Sequence, residues 1–233
     1  MSRALAIAAI AATVAGISAS PAQAQTDPQT QQYVSALQAK LTAHGVAPGV
    51  QAQLVAKFLR GGVLDSDSGT ATPVSQSATT QNGTLITRYV YADGSAAVST
   101  QEQPPVEQAG RVNPRAISGC HHTVDRDVNT FTGCEVGWSA NTWTVGWYAD
   151  FGYYQFGSWM RNYRSLVVSG FGIFTNRQLD IIQSSCNSAC DSWGRATVTQ
   201  QITIDGSGVT RLVGAKLSEN NSTRKNGSVI PIG

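Results

Sequence analysis

His121 and His122, with Asp125 and Asp127 just downstream, are residue types that bind zinc or copper. On a strand, however, adjacent side chains point to opposite faces, so the two imidazoles do not converge on one ion. The segment reads as a polar loop, and no metal or other cofactor is expected. Glycoside cleavage needs two carboxylates with separated pKa values. Glu135 and Asp150 fall on the polar side of neighbouring strands and are the first acids to consider for it. Nucleophilic catalysis has little sequence support. There is no G-x-S-x-G elbow and no H-E-x-x-H helix. Gly206-Ser207-Gly208 has the composition of a hairpin turn, and His44 lies far upstream in a helical stretch.

Aromatic side chains are concentrated between residues 138 and 163. Rings can stack on the C–H faces of sugars, but they also fill cores. Trp138, Trp143 and Trp147 are in phase with Val136, Val145 and Phe151, which is the pattern of a buried row. Tyr148, Tyr153, Tyr154 and Trp159 are out of phase or at turns, and these four are the candidate ligand-binding residues.

The four cysteines are Cys120, Cys134, Cys186 and Cys190. An even count in an exported chain reads as disulfides, here with neighbours favoured: Cys120–Cys134 and Cys186–Cys190. Extended residues four apart lie about 13 Å apart, whereas a disulfide needs Cα atoms within about 7 Å. The segment from Cys186 to Cys190 must therefore turn. Bridging all four removes any cysteine nucleophile. Zinc is the alternative, but the spacing is not a paired C-x-x-C.

These residues need elements to position them. Asp27-Pro28 starts a helix, and Tyr33, Leu37 and Leu41 recur at helical spacing until Gly45. Pro48 restarts the pattern, with Val50, Leu54, Val55, Phe58 and Leu59 forming a second stripe. This predicts a helical hairpin over residues 25–64. Residues 65–83 are poor in apolar side chains and read as a flexible linker. Two strand-like runs around Asp93-Gly94 predict a β-hairpin over 84–100. A second linker, 101–115, carries Pro104-Pro105 and Pro114. The remainder, 116–233, shows repeated alternation. It is expected to form a disulfide-bonded β-domain with a polar, frayed stretch at 218–224. Ala196, Val198, Ile202 and Ile204 form an apolar row whose Thr-rich opposite face reads as the wet side of a sheet. The fold class is mainly β, an antiparallel β-sandwich, with a small β-barrel as the alternative.

The first residues have the form of a secretory signal: Arg3, an Ala-rich apolar run over 4–17, and Ala22-Gln23-Ala24 before Gln25. The apolar run is too short to span a bilayer. A cleaved leader of residues 1–24 and an extracellular location are expected. The net charge is +2, and basic residues are scattered rather than grouped. That argues against nucleic acid as a partner.

Several of these parts, taken in order, resemble a loose group of uncharacterised secreted bacterial proteins. The shared parts are the signal, Gly61-Gly62-Val63-Leu64-Asp65-Ser66, Pro73-Val74-Ser75, Tyr91-Ala92-Asp93-Gly94-Ser95, and a β-domain opening Ile117-Ser118-Gly119-Cys120. The resemblance covers most of the mature chain and implies no activity and no site residues. The expectation is a non-enzymatic secreted β-domain that binds carbohydrate or another cell-envelope component. The alternatives are a hydrolase acting on envelope polymers and a toxin or inhibitor whose helices are a pro-segment.

Overall fold

The computed structural model describes residues 27–104, 119–187, 190–204, 206–220 and 228–232. The expected leader, most of the second linker and the 221–224 stretch lie outside the described residues. Three helices come first: α1 (Pro28–Ala43), α2 (Pro48–Leu59) and the single turn α3 (Asp65–Ser68). The Asp27 carboxylate accepts from the Thr30 backbone N–H at 3.3 Å and caps α1. At the other end of α1, Arg88 donates from Nε to the carbonyl of His44 and from Nη2 to that of Gly45. These bonds satisfy carbonyls that a helix end leaves open.

The strands are β1 (Ser75–Gln81), β2 (Thr84–Val90), β3 (Ala96–Glu102), β4 (His121–Asp125), β5 (Val128–Ser139), β6 (Trp143–Tyr154), β7 (Gly157–Gly170), β8 (Ile173–Gln183), β9 (Ser185–Cys186), β10 (Asp191–Ile204), β11 (Ser207–Asn220) and β12 (Ser228–Ile232). One sheet has the order β1-β2-β3-β5-β6-β7-β9, with β4 paired to β5; the other runs β12-β11-β10-β8. All pairings are antiparallel. The fold is mainly β, as expected, and consistent with a β-sandwich.

Two dry clusters hold it together. The larger joins Phe131, Val136, Trp138, Trp143, Trp147 and Phe151 of the first sheet to Ala196, Val198, Val213 and Leu217 of the second. The three tryptophans are at most 1 % exposed, as their phase required. The smaller cluster sits beneath the helices, where Leu37, Leu41, Leu54, Phe58 and Leu64 meet Phe171, Ile202 and Ile204. The alternating row of β10 therefore serves both clusters.

The 65–83 tract is not a plain linker. It contains α3 and a seven-residue strand, β1, that pairs with β2 along its whole length. All seven residues of β1 are exposed, so no apolar alternation marks the strand. Residues 218–220, expected to fray, instead complete β11 and pair with Asp191–Trp193 of β10, and Ser218 and Glu219 are buried. Strand β12, also missed, pairs with β11. Both disulfides join neighbours, Cys120–Cys134 with Cα atoms 4.2 Å apart and Cys186–Cys190 with 5.9 Å. The Asp93-Gly94 turn connects β2 to β3 as predicted. Gly94 has φ +81°, and a Cβ there would lie 2.6 Å from Val50 Cγ1, so α2 packs directly on the turn.

Candidate functional site

The four aromatic candidates fall in three places. Tyr153 and Tyr154, at the end of β6, line a solvent-open cleft of about 770 Å³ with Arg126, Asp127, Asn129 and Gln155. The β4–β5 turn supplies Arg126 and Asp127, and Gln155 begins the β6–β7 turn. The Tyr154 hydroxyl donates to Asn187 Oδ1 at 2.8 Å, which orients its ring. Burial pushes the Tyr153 phenol pKa up, and Glu219 adds to the effect. Trp159 lines neither this cleft nor the groove described next. It pairs with Gly152 across the β6–β7 ladder, and the Arg161 guanidinium covers its ring at 4.6 Å.

Tyr148 lies on the outer face of the first sheet, in a groove of about 620 Å³. The groove exists because Gly137 of β5 and Gly146 of β6 are cross-strand partners, so its floor lacks side chains there. A Cβ at Gly137 would come within 2.9 Å of Thr100 Oγ1. Ser139 and Thr144, the next outward residues, also line the groove.

Where α1 meets this sheet, a polar cluster closes around Ser139. His44 Nδ1 lies 3.0 Å from the carbonyl of Ala96 and 3.2 Å from Asn141 Oδ1. Both are acceptors, so Nδ1 carries the ring proton and Nε2 presents a lone pair. Ser139 Oγ is 3.2 Å from Nε2 and donates to it. The same Oγ accepts from Lys40 Nζ at 2.9 Å, and Lys40 also donates to Thr144 Oγ1 at 3.0 Å. Burial lowers the His44 pKa, and the nearby Lys40 and Arg88 charges lower it further, against the hydrogen bonds that the ring donates to Ala96 and Asn141. Burial likewise pulls down the Lys40 ammonium.

The cluster continues inward. Asn141 Nδ2 donates to Ser66 Oγ at 2.6 Å. Asp67 Oδ1 accepts from the Asn141 and Thr142 backbone N–H groups at 2.8 and 3.1 Å. Gln200 Nε2 donates to the carbonyls of Thr142 and Phe171, and Gln200 Oε1 accepts from Arg211. Hydrogen bonds thus run from the second sheet to the groove on the first.

Of the acids and histidines considered first, Asp150 and His122 are held by other groups, while Glu135 lines the sheet groove. Asp150 is 7 % exposed; it accepts from Gly133 N–H at 2.7 Å, Asn162 Nδ2 at 2.6 Å and Arg164 Nη1 at 3.4 Å. Glu135 is exposed, and its N–H donates to Glu102 Oε2 at 2.8 Å. His122 stacks on Phe131 at 4.0 Å and hydrogen-bonds the Pro104 carbonyl and Asn129 Oδ1. His121 is the exposed neighbour on the other face of β4. Among the described residues, no three His, Cys, Asp or Glu side chains are grouped to hold a metal.

Sequence reasoning missed the Lys40–His44–Ser139–Asn141 cluster because nothing local announces it. His44 and Ser139 are 95 positions apart and meet only when α1 docks. Comparison with known proteins found no matching family model, no matching curated protein and no matching solved structure.

Proposed function

We propose that this chain is an exported binding module whose ligand is a carbohydrate, most naturally a polymer of the cell envelope. The observation that carries the reading is the cleft of Tyr153 and Tyr154, edged by Arg126, Asp127, Asn129 and Gln155. Tyrosine rings offer apolar faces to sugar C–H groups. The amides both donate and accept, the carboxylate accepts, and the guanidinium donates, which matches the mixed demands of sugar hydroxyls. Two further features support export. The first 24 residues have the three-part form of a cleavable signal. Both disulfides suit an oxidising compartment. No helix among the described residues is long and apolar enough to cross a membrane.

A glycan array and pull-downs on isolated cell-wall polymers test the binding reading. Retention on at least one polymer is expected. Tyr154→Ala should weaken it about tenfold, or about 1.4 kcal/mol, with the thermal midpoint little changed. Absence of retention on every polymer would refute it. Mass spectrometry of protein from the medium tests export, with an N-terminus at Gln25 expected.

A further inference from the structure

We infer that Ser139 is an activated nucleophile and that the sheet groove it lines accepts a carboxylic ester, giving the chain an acyl-hydrolase activity separate from the Tyr153–Tyr154 cleft. The geometry has the parts such chemistry requires. The Ser139 hydroxyl donates to a histidine nitrogen whose tautomer is set by two oxygen acceptors on the far side of the ring. Asn141 is a positioning residue. Its side-chain oxygen faces His44 Nδ1, and its own orientation is held by Ser66. Lys40 donates to the same serine oxygen and is the local cation for negative charge developing at the reacting centre. The groove beside Ser139 has a glycine floor where an acyl or alcohol group can lie against the sheet.

The reaction balances without a cofactor. Ser139 Oγ bonds to the ester carbonyl carbon while its proton passes to His44 Nε2. The bond from that carbon to the alcohol oxygen breaks, and the alcohol leaves with the proton. Water then attacks the acyl-serine, His44 again relays the proton, and the carboxylic acid departs with Ser139 restored. The base must be neutral at rest. The charged side chains facing His44 are both cations, Lys40 on its own helix and Arg88 on β2, while Asp67 of α3 acts on Lys40. Burial and these cations keep the imidazole unprotonated to lower pH than usual.

The test uses the full chain with its disulfides intact. It is treated with diisopropyl fluorophosphate, mapped by peptide mass spectrometry, and assayed with 4-nitrophenyl acetate. One adduct on Ser139 is expected, with release of 4-nitrophenol falling in step with labelling. Ser139→Ala should lower release by about 100-fold or more. Release by the unsubstituted chain should rise with pH to a plateau, with a midpoint below the ordinary imidazole value of about 6.5. His44→Gln should abolish that step. Labelling of the unsubstituted chain needs no variant to fold. No adduct on Ser139, or full turnover in folded Ser139→Ala, would overturn the inference. Neither result bears on carbohydrate retention.

Discussion

Asp150 shows how a residue type can suggest one chemistry and its surroundings impose another. Its carboxylate is held by three donors: a backbone N–H, an amide and a guanidinium. Burial alone would raise its pKa, but the Gly133, Asn162 and Arg164 donors outweigh burial and hold it below the usual carboxylate value. It is therefore a fixed anion that ties β5, β6 and β7 together, and a poor proton donor. Asp150→Asn would turn a donor toward donors, so a loss of about 1–3 kcal/mol is expected at neutral pH. A pKa lower in the folded chain than in the unfolded one adds stability above the unfolded value. That stability is lost as pH falls through the folded value. Urea unfolding at about pH 7 and about pH 3 should therefore show the gap between the two proteins narrowing in acid. At this scale the sequence was a partial guide. The phase of Trp138, Trp143 and Trp147 announced their burial, because alternation reports which side of a strand is dry. The partners of Ser139 were illegible, because its cluster depends on where a distant helix comes to rest.

The helical hairpin illustrates the same limit for whole elements. Its apolar stripes were readable, and α1 and α2 begin at Pro28 and Pro48 as the pattern predicted. What they cover was not readable. Leu37 and Leu41 are fully buried against the end of the β structure, and Tyr33 stacks on Phe171 at 5.1 Å. Lys57 of α2 bridges Asp65 at 3.0 Å and Asp93 at 2.8 Å, tying the helices to the β2–β3 turn. A removable pro-segment would leave Phe171, Ile202 and Ile204 bare, which disfavours that reading. Leu41→Ala should cost about 2–5 kcal/mol in chemical denaturation, as for other buried leucines. A loss below about 1 kcal/mol would mean that the hairpin is only loosely attached. Strand β1 escaped detection for the opposite reason. A strand with neither face buried has the same polar composition as a linker, and only its pairing with β2 distinguishes it.

At the scale of the molecule, the two sheets, the helical cap and the two sulfur bridges of the described residues form a fold whose parts are far apart in sequence. The Cys120–Cys134 bridge lies in the larger core, with both residues fully buried. Replacing both by serine should remove about 3 kcal/mol through the lost loop constraint, read as a lower urea midpoint. The unsubstituted protein should show no reactive thiol before reduction. The bonds from Lys40 to Ser139 and Thr144 span 99 and 104 positions. A chain in which such distant contacts dominate forms them late, after shorter loops have closed. During refolding, strand signal in circular dichroism should return before Ser139 recovers its reactivity toward organophosphates, so the delay between the two times the seating of the first helix.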